Sequence, residues 1–270
     1  MKFALCGAGR VGTSLAHSLK SNGWEFFGYY SENYPHWIEE KKRISSLNEL
    51  EGRDLLVFLA IPDKVIEPLS SKLPRSLIVG HTSGSLDHRA IKAPETEGRF
   101  SIHPLRSVPR FKMDISGGYW GIEGDEVGIK VAERTVDALN GKALYINSDK
   151  KPLYHMASVT STNLLNSLLF LTDSLFKKCG ITEEVATYIG METLRNIKDM
   201  GYLESLTGPV ERGDYKTLKR DLDALEKNAN DLLPILIRLL EVNLNIARDK
   251  GLNKEDANRI NSIISDYSEF

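Results

Sequence analysis

Six residues near the amino end, Gly7-Ala8-Gly9-Arg10-Val11-Gly12, have the composition and spacing of a cradle for an anion. They follow the apolar run Lys2 to Cys6 and lead into a segment where Val11, Leu15 and Leu19 recur every fourth residue, so strand, glycine turn and helix are predicted in succession. Gly7 permits the tight turn, Gly9 lets backbone approach a pyrophosphate, and Gly12 lets the helix lie close on the strand. Ala8, Arg10 and Val11 complete the loop, and the helix N-terminus offers unpaired N–H groups to the anion. The expected ligand is a dinucleotide. A second apolar run, Glu25 to Tyr30, ends about 20 residues past the fingerprint, where a ribose-reading side chain belongs. Ser31 stands there, and its small hydroxyl leaves room for a 2′-phosphate, which points to NADP. Glu32 beside it favours NAD if it turns inward. Lys41, Lys42 and Arg43 are the nearest cations, and they also read as a solvated helix face.

Four further constellations carry polar chemistry. Ile61-Pro62-Asp63 follows the third apolar run and is expected beside the dinucleotide, because ligands of open α/β sheets bind at the carboxyl ends of strands. It also reads as a proline-initiated helix with Asp63 at its positive end. His81-Thr82-Ser83-Gly84 and His103-Pro104-Leu105-Arg106 follow the next two strands, so that their histidines can meet at one crevice. Tyr154-His155 opens a long helical stretch with Ser161, Thr162, Asn163 and Asn166 downstream. At 3.6 residues per turn, Thr162 and Asn166 lie within roughly 20° of His155 and Asn163 about 80° away. Such a stripe either faces solvent or forms a substrate edge, where His155 gives a proton to a carbonyl or imine as hydride arrives and an amide orients that group. Finally, Leu206 to Asp214 is dense in glycine and charge. It reads as a helix stop, a turn and an Asp214 cap, with Arg212 also able to hold a carboxylate. The histidine spacing lacks a metal pattern, and no metal is expected.

The elements that must position these groups change character along the chain. Apolar runs at 54–60, 77–80, 100–103, 119–122 and 143–146 alternate with helical or irregular connections, which indicates a mostly parallel sheet covered on both faces. From about Ser148 only helical patterns remain: 153–178, 182–200, 215–228, 231–250 and 253–267, with Thr182 and Asn253 as N-caps and Gly180 and Gly251 as stops. The expected fold is therefore α/β: a doubly wound, mostly parallel Rossmann sheet over residues 1–148, followed by an all-helical domain over 149–270. Leu232 to Leu240 is apolar nearly all round and needs burial on more than one side, which points to a homodimer through the helical domain.

Bulk composition narrows the function. The 270 residues carry a formal net charge of −2, with no basic run interleaved with aromatics, so nucleic acid is not an expected partner. The two cysteines form neither a metal pattern nor a disulfide framework, which suits a reducing cytoplasm. No apolar stretch is long enough to span a bilayer, and no membrane partner or leader peptide is expected.

The succession GAGRVG, IPD, HTSG, SIHPL, YH with an Asn-bearing helix, and LTGPVERGD resembles the bacterial Rossmann-like proteins that carry the DUF2520 C-terminal domain. These are relatives of the 6-phosphogluconate-dehydrogenase-like group, which includes ketopantoate and pyrroline-5-carboxylate reductases. The resemblance implies an N-terminal NAD(P) domain, a helical C-terminal domain that commonly dimerises, and a site that draws on both. It implies Gly7, Gly9 and Gly12 for cofactor, and His81, Ser83, His103 and His155 around the crevice, with Ser83 on the cofactor side and His81 towards substrate. It selects Asn163 over the better-aligned Asn166, and makes Thr207, Gly208, Arg212 and Asp214 site-facing. Two departures stand out. Glu32 occupies the place where NADP-using relatives often have arginine, and the proton-donating lysine of ketopantoate and 6-phosphogluconate relatives has no clear match. The resulting expectation is an NAD(P)-dependent oxidoreductase, NADP favoured, acting on a small carboxylated metabolite such as a ketopantoate-like 2-oxo acid. The alternative from another class is a non-catalytic NAD(P) sensor or assembly protein whose helical domain binds a partner.

Overall fold

The computed structural model describes residues 1–268. Two compact units divide it, Met1–Asn163 and a second that begins at Leu164.

The first unit is built on a seven-stranded sheet. Strand β1 (Lys2–Cys6) lies between β2 (Glu25–Tyr30) and β3 (Leu56–Leu59), followed outward by β4 (Ile78–His81), β5 (Gly98–Pro104), β6 (Tyr119–Gly124) and β7 (Lys142–Tyr145). All neighbours run parallel except β5 and β6. The antiparallel step needs no crossover helix, so the β5–β6 connection is free to wrap elsewhere. Helices α1 (Arg10–Ser21), α2 (Asp63–Ser70) and α3 (Glu126–Ala138) make the β1–β2, β3–β4 and β6–β7 crossovers.

Alternate side chains of β1 feed different cores. Phe3 and Leu5 pack with Leu15, Leu19, Phe58 and Trp120, whereas Ala4 and Cys6 pack with Val57, Leu59, Ile66 and Val79. A strand buried on both faces must read as an unbroken apolar run, as this one does. Thr13, Ser14 and Ser18 of α1 are also wholly buried. Their partners come from the β5–β6 connection: Met113 N donates to Ser14 Oγ (3.0 Å), Ile115 N to Ser18 Oγ (2.8 Å), and Ser18 Oγ to Asp114 (3.0 Å).

Strand register aligns the carboxyl ends. Tyr30, Cys6, Leu59, His81 and Ser101 stand side by side across the sheet. The chain departs from β1 to β2 on one side and to β3 on the other, so the switch point, where such sheets open a crevice, falls between β1 and β3.

The expected boundary at 148/149 is displaced. Helix α4 (Lys151–Val159) belongs to the sheet unit because Lys151 and Tyr154 are anchored there by contacts to Ser83, Ser101 and His103. Residues 160–164 then form a π turn before α5 (Leu165–Lys178). The second unit continues with α6 (Val185–Ser205), broken at Gly201 by a φ of 82°, and with α7 (Tyr215–Ala229), α8 (Leu233–Lys250) and α9 (Lys254–Asp266). Its core draws on Leu218, Leu222, Leu233, Ile237, Leu244, Ile260 and Ile264. Asn253 caps α9 and Gly251 ends α8 in a left-handed conformation, as expected. Thr182 caps nothing, because α6 begins at Val185.

Candidate active site

Two of the cavities among residues of the first unit gather the expected site residues. One, of about 680 Å³, lies at the switch point and is lined by Gly7, Ala8, Gly9, Ser31, Ile61 and Pro62, with Glu32 and Lys72 at its margin. Gly7 has φ 108° and gives its N–H to Tyr30 O (2.8 Å). A Cβ there would fall on the Ala60 carbonyl, 2.8 Å from its carbon, and a Cβ at Gly12 would fall on the Gly7 carbonyl. Only glycine satisfies either position. Gly9 is the N-cap of α1, receives no side-chain cap, and has nothing within 4 Å of where its Cβ would stand. The first turn of α1 has no acidic residue. Its backbone donors are therefore left to an anion from outside the helix, and the residues present fit a dinucleotide phosphate.

Arg10 is exposed and Val11 half-buried at the start of α1, and neither lines this cavity. Asp63 opens α2, and its carboxylate accepts from Ser85 Oγ (2.7 Å), tying the β4 turn to that helix. Ser31 donates its hydroxyl to Asn33 O (2.8 Å) and its amide to Tyr34 Oη (3.1 Å). The Arg43 guanidinium stacks 5.1 Å from the Tyr34 ring centroid, at the flank of the same cavity.

The second cavity, of about 410 Å³, is lined by His103, Arg106, Tyr154, His155, Thr162 and Asn163, with Leu105, Leu144 and Val159 as apolar wall. His103 Nδ1 lies 2.9 Å from Tyr154 Oη, and the His103 and His155 rings meet edge to face at 6.0 Å. Two glycines make this convergence possible. A Cβ at Gly84 would stand 2.7 Å from His155 Cδ2 and 2.9 Å from His103 Nε2, and one at Gly121 would stand 2.5 Å from Tyr154 Cζ. Burial, with Lys151 and His155 adding positive field, brings the His103 pKa down to about 4, so its imidazole is neutral at physiological pH. The Arg106 guanidinium donates to Gly117 O (3.2 Å) and keeps other donors for a ligand.

Asn163 reaches the His155 side because of the π turn. Bonding from i to i+5 takes one more residue per turn, so the eighth residue after His155 has the phase that the seventh would have in an α-helix. Regular 3.6-residue phasing misplaces it.

Several expected site residues are engaged elsewhere. His81 is wholly buried, accepts at Nδ1 from the Ser83 amide (3.2 Å), and donates from Nε2 to Asp87 O (2.9 Å). Desolvation lowers its pKa to about 4, and both nitrogens serve the β4 turn, so it offers no atom to a substrate. Ser83 Oγ accepts from Ser85 N (3.2 Å) and Leu86 N (3.1 Å), so it staples that turn, and it is not among the residues lining the switch-point cavity. In the second unit, Asp214 caps α7 by accepting from Thr217 N (3.1 Å), and this holds its carboxyl below the usual range. Thr207 and Arg212 are exposed. Asp87, His88 and Glu123 bring three ligand-type groups together. Glu123 accepts from His88 N and Ser148 Oγ, and Asp87 from Arg89, so this cluster is a set of internal links.

Lys151 is the residue that the motif reading passed over. Its side chain is 0% exposed, donates to Ser83 O (3.2 Å), and is hydrogen-bonded to Ser101 Oγ. Burial lowers its pKa to about 8. In the sequence it sits in a charged run, Asp149-Lys150-Lys151, that reads as a linker. The following Pro152, which favours a helix start, was the available signal.

The family comparison agrees with the motif succession. The model of a domain of unknown function, DUF2520, matches residues 118–239, a span that starts at the last strand pair and ends within α8. Protein TM1727 from Thermotoga maritima is 24% identical, with a TM-score of 0.70 over 92% of this chain and 99% of that one. Protein BF3122 from Bacteroides fragilis is 20% identical, with a TM-score of 0.65 over 93% and 98%. A 1-pyrroline-5-carboxylate reductase from Streptococcus pyogenes is 14% identical, with a TM-score of 0.62 over 100% and 99%. These structures share the Rossmann-type sheet with a following helical region. A search of curated proteins gives no match. Among the described residues no helix is long and apolar enough to cross a membrane.

Proposed function

We propose that this chain is an NAD(P)-dependent oxidoreductase that reduces a carbonyl or imine on a small carboxylated metabolite, with a ketopantoate-like 2-oxo acid favoured. The observation that carries this is the pairing, along one sheet edge, of an uncapped glycine cradle with a cavity walled by His103, Tyr154 and His155. The likeness to a pyrroline-5-carboxylate reductase supports the same reaction class. When bound, a nicotinamide would supply hydride. The proton comes from the imidazole and phenol wall, Asn163 orients the reacting group, and Arg106 meets the substrate carboxylate. NADP is favoured on the small Ser31 side chain, with Arg43 and Lys72 as nearby cations, although the Ser31 proton is already given to Asn33.

Consumption of NADPH and NADH against a panel of 2-oxo acids and cyclic imines tests the reading. NADPH-dependent turnover of ketopantoate or a close analogue is the expected result. Tight dinucleotide binding with no turnover of any panel member would favour the sensor alternative.

A cytoplasmic homodimer through the helical unit belongs to the same proposal. Helix α5 has no buried residue, α6 buries only Ala186, and Phe170 and Tyr188 are 73% and 68% exposed. So much contiguous apolar side chain is unusual on a monomer surface. Light scattering should return twice the chain mass at micromolar concentration, and a monomer there would remove the proposal.

A further inference from the structure

Resting on that reading, we infer that Tyr154 is the group that hands the proton to the reacting oxygen or nitrogen, and that His103 refills it through Nδ1. Among the buried groups at this edge, Lys151 is closed off from both cavities by Ser83 and Ser101, so it cannot touch a substrate. Tyr154 lines the second cavity, and its hydroxyl sits in a pocket that exists because residue 121 has no Cβ.

The oxygen is hydrogen-bonded to His103 Nδ1 at 2.9 Å and lies against the Gly121 backbone, which favours the ionised phenol. If Nδ1 is the donor in this bond, the phenol proton is left to point into the cavity. His103 is neutral and carries one N–H, so this arrangement requires the Nδ1–H tautomer. The Lys151 ammonium, 5.9 Å from the phenol ring centroid, adds a positive field that steadies a transient phenolate. Burial otherwise pushes the Tyr154 pKa up to about 12, so the phenol is fully protonated before the reaction.

The step balances as follows. The substrate carbon gains a C–H bond with the hydride pair of the reduced nicotinamide dinucleotide, and the C=O or C=N π pair moves to the heteroatom. That atom takes the phenol proton, the phenolate takes the Nδ1 proton of His103 as Nε2 takes one from solvent, and the ring stays neutral, passing from the Nδ1–H to the Nε2–H tautomer before it re-equilibrates. His155, edge-on to His103, is left to shape the cavity.

The test uses the protein labelled with ¹⁵N-histidine, alongside a Tyr154→Phe variant. In the wild type, His103 should be protonated at Nδ1, and loss of the acceptor in Tyr154→Phe should shift it towards the Nε2–H form. Turnover in Tyr154→Phe should fall on the order of 100-fold or more, the scale of a lost general acid, with dinucleotide affinity by fluorescence unchanged within about twofold. An unprotonated Nδ1 in the wild type, or near-normal turnover in a folded Tyr154→Phe, overturns the relay while leaving the reductase reading intact. A wild type that turns over nothing defeats the reductase reading, and the NMR result still decides the relay geometry.

Discussion

Gly7→Ala is expected to lose dinucleotide binding and to destabilise the fold by about 3 kcal/mol or more, combining a left-handed backbone cost with overpacking. The first contribution follows from φ 108°, and the second from a Cβ placed against the Ala60 carbonyl. The β1 and β3 ends must separate to admit it, and the floor of the switch-point cavity moves with them. A companion variant separates folding from binding. Gly9 has an ordinary φ of −75° and open space where its Cβ would stand, so Gly9→Val should fold like the wild type. Its side chain nevertheless enters the cavity, and affinity should drop on the order of 100-fold, about 2.7 kcal/mol. Thermal melts and fluorescence titration with NADPH measure both effects. Unchanged affinity in a folded Gly9→Val would put the phosphate somewhere other than this turn.

Lys151 should give the wild type a distinctive pH dependence of stability. Its folded pKa, about 8, lies below the unfolded value near 10.5, so between those values the unfolded chain binds more protons. Stability from this group therefore rises with pH across that window, by about 3 kcal/mol in total, and the burdened, charged state prevails below pH 8. In Lys151→Met the rise disappears. At pH 7 the variant is relieved of a buried charge, but Ser83 O and Ser101 Oγ lose their donor, each at a cost of about 1–3 kcal/mol, so the two proteins should differ little there. Urea unfolding of both proteins from pH 7 to 10.5 isolates the effect, because the remaining tyrosines and cysteines titrate in both. A stability difference that stays flat would show that the ammonium is not held as described.

The sheet unit was legible because its signals are local. Phe3 to Cys6 alternates between two cores and is apolar throughout, and Gly7 and Gly12 have backbone requirements no other residue meets. The capping of α9 by Asn253 is equally local. What sequence could not show depends on distant partners. His81 and Ser83 look like site residues until the turn they staple is seen, and Asp214 carries both a cap signal and a charge signal. Lys151 reads as solvated linker because the oxygens that hold it come from β4 and β5 regions far away in the chain. Tyr154 stood in plain view beside His155, but its use depends on a missing Cβ at Gly121.

The π turn at 160–164 gives the second cavity a dependence on length as well as on chemistry. Every side chain there tolerates substitution to some degree, yet rewinding the same residues as ordinary α-helix, with none removed, would carry Asn163 off the His155 face with its amide intact. Removing one residue along with the rewinding would cancel that rotation, so the turn acts as a one-residue insertion whose winding sets the wall.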